Sequence, residues 1–218
     1  TDCLVLACGH SARPVFDMLA ALGVSLAPKP FSVGVRIEHL QRDIDDAMYG
    51  AYAGHPLLSP AEYALSYRRG KRGVYSFCMC PGGQVVAAAS EAGGVVTNGM
   101  SVFARDGVNG NSALCVSVLP EDFSGDPFAG IALLHRLEQA AYAAGGGNYS
   151  APVQRAGDFL ENRTSKSFGR VQPTYPRATA FSNLNDILPA FVCEYLHMGL
   201  ARFGATHAFM RDPDGLVT

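Results

Sequence analysis

The sequence predicts an α+β fold: a mixed, largely antiparallel sheet with helices packed on one side, preceded by a short α/β remnant. Three observations carry this. Residues 73–101 hold three short apolar runs, at 74–79, 84–88 and 94–98, divided by the turn clusters Pro81-Gly82-Gly83 and Gly93-Gly94, which is the pattern of consecutive strands. The two long stretches of helical periodicity lie in the second half, from Pro127 to Gly145 and from Pro189 to Gly204. The first residues read as strand, glycine turn and helix, which is half of a βαβ unit.

In order, residues 3–7 form a continuous apolar run of strand length that needs cover on both faces. Gly9 turns the chain, and His10 or Ser11 caps a helix over 12–22 that Gly23 stops. Backbone N–H groups at such a turn can face an anion or the edge of a nucleotide. Pro28-Lys29-Pro30 is a rigid connector, so residues 1–28 and 29–218 are expected to be separate units. Residues 31–38 alternate, with Phe31, Val33, Val35 and Ile37 on one face and Ser32, Gly34, Arg36 and Glu38 on the other. Residues 40–48 carry Leu40, Ile44 and Met48 at helical spacing, 49–60 is loop, and 63–68 alternates again.

After the glycine-rich centre, Asp106-Gly107 and Asn109-Gly110-Asn111 are turns, and 112–118 is a further, central strand. Asp126-Pro127 opens a helix. Residues 153–160 read as a short helix and 161–181 as a long surface loop. Ser182 or Asn183 caps a helical turn, and Phe191, Val192, Tyr195, Leu196 and Leu200 form the core face of the last helix. Residues 206–210 are expected to begin a final strand.

The chain has 218 residues, a net charge of −2, 48% hydrophobic and 17% charged residues. That composition supports a sizeable core and gives no support for nucleic-acid binding. The basic cluster at 68–72 reads as a solvated turn. Six cysteines show no disulfide-framework spacing, and no signal-like segment opens the chain, so a reducing cytoplasm is expected. No apolar run reaches membrane-spanning length. The abrupt apolar start and the unterminated end suggest a piece of a longer polypeptide.

Three groups of residues are candidates for chemistry. Cys78 and Cys80 sit where a strand enters its turn; one thiol is expected to face a ligand while the other packs inward, and a purely structural role is the competing reading. With no second Cys or His pair, no metal site is expected. Asn98, Arg105 and Asn111 lie at strand ends, where an amide or guanidinium can read a planar polar ligand or simply satisfy a turn. Arg36 has two readings, pairing near Glu38 or binding a substrate carboxylate. No nucleophile elbow, phosphate-binding lysine loop or complete dinucleotide fingerprint is present.

Several segments together resemble a known family. They are Ala7-Cys-Gly-His-Ser-Ala-Arg13, Lys29-Pro-Phe-Ser-Val-Gly-Val-Arg-Ile-Glu-His39, Phe77-Cys-Met-Cys-Pro-Gly-Gly83, Val96-Thr-Asn-Gly-Met-Ser101 and Asn111-Ser-Ala-Leu114. They are similar to the uncharacterised bacterial FAD-dependent dehydrogenases, a branch of the two-dinucleotide-binding-domain flavoproteins. The resemblance implies that the FAD fingerprint and a second cofactor segment lie outside this sequence. What remains would be the edge of the FAD domain plus an inserted substrate domain. By the same resemblance, Gly9, His10 and Ser11 would approach FAD, and the turn at Pro81, Gly82 and Gly83 would lie near the flavin ring or substrate pocket. The expected function is the substrate-binding or lid domain of an FAD-dependent oxidoreductase, inactive and without tightly bound FAD when isolated. Its partners would be the rest of the parent chain and a small-molecule substrate. The alternative is a non-catalytic binding domain that self-associates through the open strand at 3–7.

Overall fold

The computed structural model describes residues 3–9 and 11–218. Its elements run α1 (Arg13–Ala21), β1 (Phe31–Leu40), α2 (Gln41–Tyr49), β2 (Ser66–Arg69), β3 (Arg72–Cys80), β4 (Gly83–Ala87), β5 (Thr97–Ser101) and β6 (Asn109–Val118). Then follow α3 (Pro127–Ala144), β7 (Ala151–Arg155), α4 (Ala156–Leu160), β8 (Thr179–Phe181), α5 (Ala190–Gly204) and β9 (Leu216–Val217). Seven strands form one sheet in the order β2-β3-β6-β1-β9-β7-β8, antiparallel except for the β7–β8 pair. The fold is α+β, as the alternating runs and late helices predict.

The sheet's centre is the ladder between β1 and β6, which pairs from Phe31↔Val118 to Leu40↔Asn109 without interruption. The period of two then sorts its side chains. Val33, Val35 and Ile37 of β1, Val74 of β3 and Leu114 and Val116 of β6 join Leu196, Leu200 and Phe203 of α5 in the main apolar core. The opposite face carries Ser32, Gly34, Arg36 and Glu38 of β1 beside Asn111, Ala113 and Cys115 of β6. Arg36 and Glu38 are buried there, which marks a polar interior.

The helices begin and end where the sequence supplies caps. Asp126 accepts the Phe128 N–H at the head of α3, with Pro127 in its first turn, and Asn183 caps the helical turn at 184–186. Arg72, part of the basic cluster, turns inward. It pairs with Asp122 at 2.7 Å and lies 4.4 Å from the Phe191 ring centroid, so this arginine is structural. No helix among the described residues is long and apolar enough to cross a membrane.

Five expectations differ from the structure, each for a reason of long-range pairing. Asn109-Gly110-Asn111 is not a turn but the start of β6, held extended by pairing with β1 at 38–40. Residues 3–7 form no strand: Leu4 is 86% and Val5 82% exposed, and no neighbouring strand takes their backbone groups. The open edge expected to drive self-association is therefore not formed. Residues 153–160 divide into the end of β7 and α4, because β9 and β8 flank 151–155 and hold it extended. Residues 206–210 include a 3₁₀ turn, Ala208–Arg211, and the last strand is the two-residue β9, paired to β1 on one side and β7 on the other. The third apolar run is shifted to 97–101, and β4 and β5 form a separate two-stranded hairpin rather than extending the main sheet.

α1 fully buries none of its residues, and Arg13 ties it to the rest of the chain, pairing with Glu91 at 2.7 Å and Glu138 at 2.6 Å. Partly exposed pairs of this kind contribute about 1 kcal/mol or less each. Arg13→Ala is expected to remove amide protection from 13–21 while the global melting temperature moves by no more than about 4 °C. Hydrogen exchange followed by peptide mass spectrometry checks both halves of that statement.

Candidate functional site

Asn111 of β6 lies between Glu38 of β1 and Cys80 of β3 in the ladder. Its side-chain oxygen accepts from Arg36 Nε at 3.1 Å and also from Nη2. Arg36 Nη2 donates further to the Cys78 carbonyl at 3.1 Å and to Cys80 Sγ at 3.5 Å. Nη1 makes one long bond, 3.4 Å, to Asn98 Oδ1 of β5. Arg36 is 2% exposed, yet these acceptors are all neutral. Among the described residues no carboxylate forms an ion pair with it.

A regular strand would place Cys78 and Cys80 on the same side. Here the register passes from Phe77↔Ala113 to Cys80↔Asn111, so β3 carries one extra residue. This β-bulge separates the two thiols: Cys78 is exposed and Cys80 buried. Cys78 has φ +47°, a left-handed backbone that non-glycine residues seldom adopt. The turned backbone is what aims the Cys78 carbonyl at Arg36. Burial pushes the Cys80 thiol above its ordinary range, and the neighbouring Arg36 only partly opposes this. Cys80 is therefore a thiol, not a thiolate, at neutral pH, while Cys78 is the sulfur that solvent reaches.

The β4–β5 hairpin closes over this group. A Cβ on Gly99 would stand 1.9 Å from Arg36 Nη2 and 2.2 Å from Asn111 Oδ1, so the hairpin backbone rests directly on the guanidinium. Beside it, Glu38 accepts from Asn109 Nδ2 at 3.0 Å and from the Thr174 N–H at 3.3 Å, and also from the Thr174 hydroxyl. Burial raises its pKa, with those bonds pulling the other way. Asn111 Nδ2 is buried and has no hydrogen-bond partner. Arg36 also lines a cavity of about 280 Å³, whose other walls include Leu134, Leu137 and Ala141 of α3 and Ile187 and Leu188.

Arg36, Asn98, Asn111, Cys78 and Cys80 thus meet at one place. Arg105 does not join them: it is an exposed residue paired with Glu62 at 2.7 Å. Gly9 and Ser11 lie on the exposed segment before α1, and His10 lies outside the described residues. The turn at Pro81, Gly82 and Gly83 is buried. The Gly82 N–H donates to Gln41 Oε1 at 2.8 Å, and a Cβ on Gly82 would lie 1.8 Å from the Arg105 carbonyl oxygen. Its glycine space is filled by the 105–107 backbone, and that space is therefore closed to a ligand.

Sequence reasoning missed Gly99 and the cavity walls on α3. A glycine inside a strand is the signal that was legible for Gly99; the cavity walls look like ordinary core positions. One group of residues has metal-ligand spacing among those described, Glu91, His135 and Glu138, with ligand atoms within 4.8 Å of one another. The Arg13 guanidinium already sits among them.

The family model described as FAD-dependent protein, C-terminal domain-like, matches residues 30–218. A relative from Clostridium beijerinckii, described only as an uncharacterized protein, is 50% identical over 205 residues, covering 93% of this chain and 38% of the relative. The chain therefore spans well under half the length of the curated relative it matches.

Proposed function

This chain belongs to the FAD-dependent protein, C-terminal domain-like family, and on that footing we propose that it is the substrate-side domain of an FAD-dependent oxidoreductase of the dehydrogenase type. The observation that carries the reading is the convergence of Arg36, Asn98, Asn111, Cys78 and Cys80 from four different strands. A buried guanidinium held only by neutral acceptors keeps its charge available to a ligand, which would let this domain bind and orient a substrate. The flavin, when bound, would supply the hydride or electron chemistry. Other parts of a longer polypeptide would hold its pyrophosphate, since this sequence carries no complete dinucleotide fingerprint. In this reading the bulge at Cys78 faces the flavin-bearing part, and Arg36 sets the orientation of the substrate behind it.

The visible spectrum tests the division of labour. The complete oxidoreductase and this chain alone are each mixed with FAD and desalted. The complete protein is expected to stay yellow and the chain alone to come through colourless. Stoichiometric flavin on this chain alone, or none on the complete protein, would sink the proposal.

A further inference from the structure

We propose that the cavity beside Arg36 is a binding site for a small amphiphilic monocarboxylate, an apolar body ending in one carboxylate. The inference deepens the substrate-side reading above and rests on it. The cavity, about 280 Å³, is just under the roughly 300–1,000 Å³ of ordinary small-molecule sites. Its walls are mainly aliphatic: Val95, Leu134, Leu137, Leu184 and Ile187 supply a surface for an apolar body. Thr218, whose backbone exchanges hydrogen bonds with that of Arg36 at 2.9 Å, lines the cavity as well.

The charged lining fixes the sign and the number of charges on the ligand. Arg36 carries five N–H donors, and Nη1 is the least satisfied, with a single 3.4 Å bond to Asn98. The neighbouring Glu38 is taken by Thr174 and Asn109 and makes no ion pair with Arg36. The other charged group on the wall, Glu138, pairs with Arg13 at 2.6 Å, which Glu91 shares at 2.7 Å. A cation with no carboxylate ion-paired to it, on the wall of a mainly aliphatic cavity, suits a monoanion. A dianion such as a phosphate monoester would need a second free cation, and none lines this cavity among the described residues.

The probe is octanoate, with 1-octanol as the same apolar body lacking the charge, both titrated calorimetrically into this chain. Octanoate is expected to bind one-to-one and 1-octanol at least about tenfold more weakly. Arg36→Met is expected to abolish the difference. Leu137→Trp, which adds bulk to a cavity wall on α3, is expected to abolish octanoate binding. Equal affinities for the two probes, no octanoate binding, or octanoate binding unchanged in Leu137→Trp would overturn the site. The wild-type comparison stands even if Arg36→Met fails to fold. Flavin colour in the complete protein is a separate readout, so octanoate binding with a colourless complete protein would remove the flavoprotein reading and leave the site.

Discussion

Gly34→Ala is expected to destabilise the domain by at least about 3 kcal/mol, the range reached when a well-packed interior is overfilled. The added Cβ would stand 1.7 Å from the Leu114 carbonyl oxygen and 2.8 Å from its carbon. Both are backbone atoms of β6, so no rotamer change relieves the overlap, and the central ladder of the sheet has to open. For a chain of this size the loss corresponds to a fall of roughly 6–12 °C in melting temperature. Gly73→Ala is the control: its Cβ would meet nothing nearer than the Tyr67 carbonyl oxygen at 3.6 Å. It is expected to change stability by less than about 1 kcal/mol. Thermal melts of the two variants check the contrast, and similar melting temperatures for both would contradict it.

The second large effect is a pH dependence located in one residue. His39 is fully buried, opposite Gly110 in the β1–β6 ladder, with neither ring nitrogen hydrogen-bonded and its ring 5.3 Å from that of Phe209. Burial pushes its pKa down to about 4 from 6.5; Asp43 pulls it up and Arg170 adds to the depression. The folded state therefore keeps His39 neutral while the unfolded chain takes up a proton below about pH 6.5. Stability from this group is complete above that pH and is lost as pH falls toward 4, amounting to about 3 kcal/mol. In His39→Leu no hydrogen bond is broken, so the cost at pH 7 is expected to stay below about 1.5 kcal/mol. The wild-type and variant stabilities, measured by urea unfolding from pH 7 to pH 4, are expected to converge and cross as pH falls. Parallel curves would show that His39 is not the titrating group.

Most of the fold was legible where a residue's surroundings are set by its near neighbours. The alternation from Phe31 to Glu38, Asp126-Pro127 before α3, Asn183 before the turn at 184–186 and the apolar stripe of α5 each follow from local patterning and capping. What local patterning cannot see is which segment arrives later. β7 reads as the start of a helix until β9, some sixty residues on, pairs with it. Residues 3–7 have the composition of a buried strand and no strand beside them. The candidate site was legible by residue type: an arginine on the polar face, two strand-end amides and two thiols at a turn. Its arrangement was not, because it depends on a one-residue bulge in β3 and on a hairpin folding over Arg36. Arg105 looked equivalent to Arg36 in sequence, but it sits on an exposed turn with Glu62.

The measurement that bears most directly on the account is the alkylation of Cys78 by iodoacetamide, followed by peptide mass spectrometry. Cys78 is exposed in this chain and Cys80 is buried beside it, so the pair carries its own internal reference. If the bulge faces the flavin-bearing part, Cys78 reacts readily in this chain alone. In a longer protein that carries the proposed flavin-bearing part, mixed with FAD, it is expected to react at least about tenfold more slowly, with Cys80 slow in both. An equal Cys78 rate in the two samples would contradict the placement of the Arg36 site against the flavin.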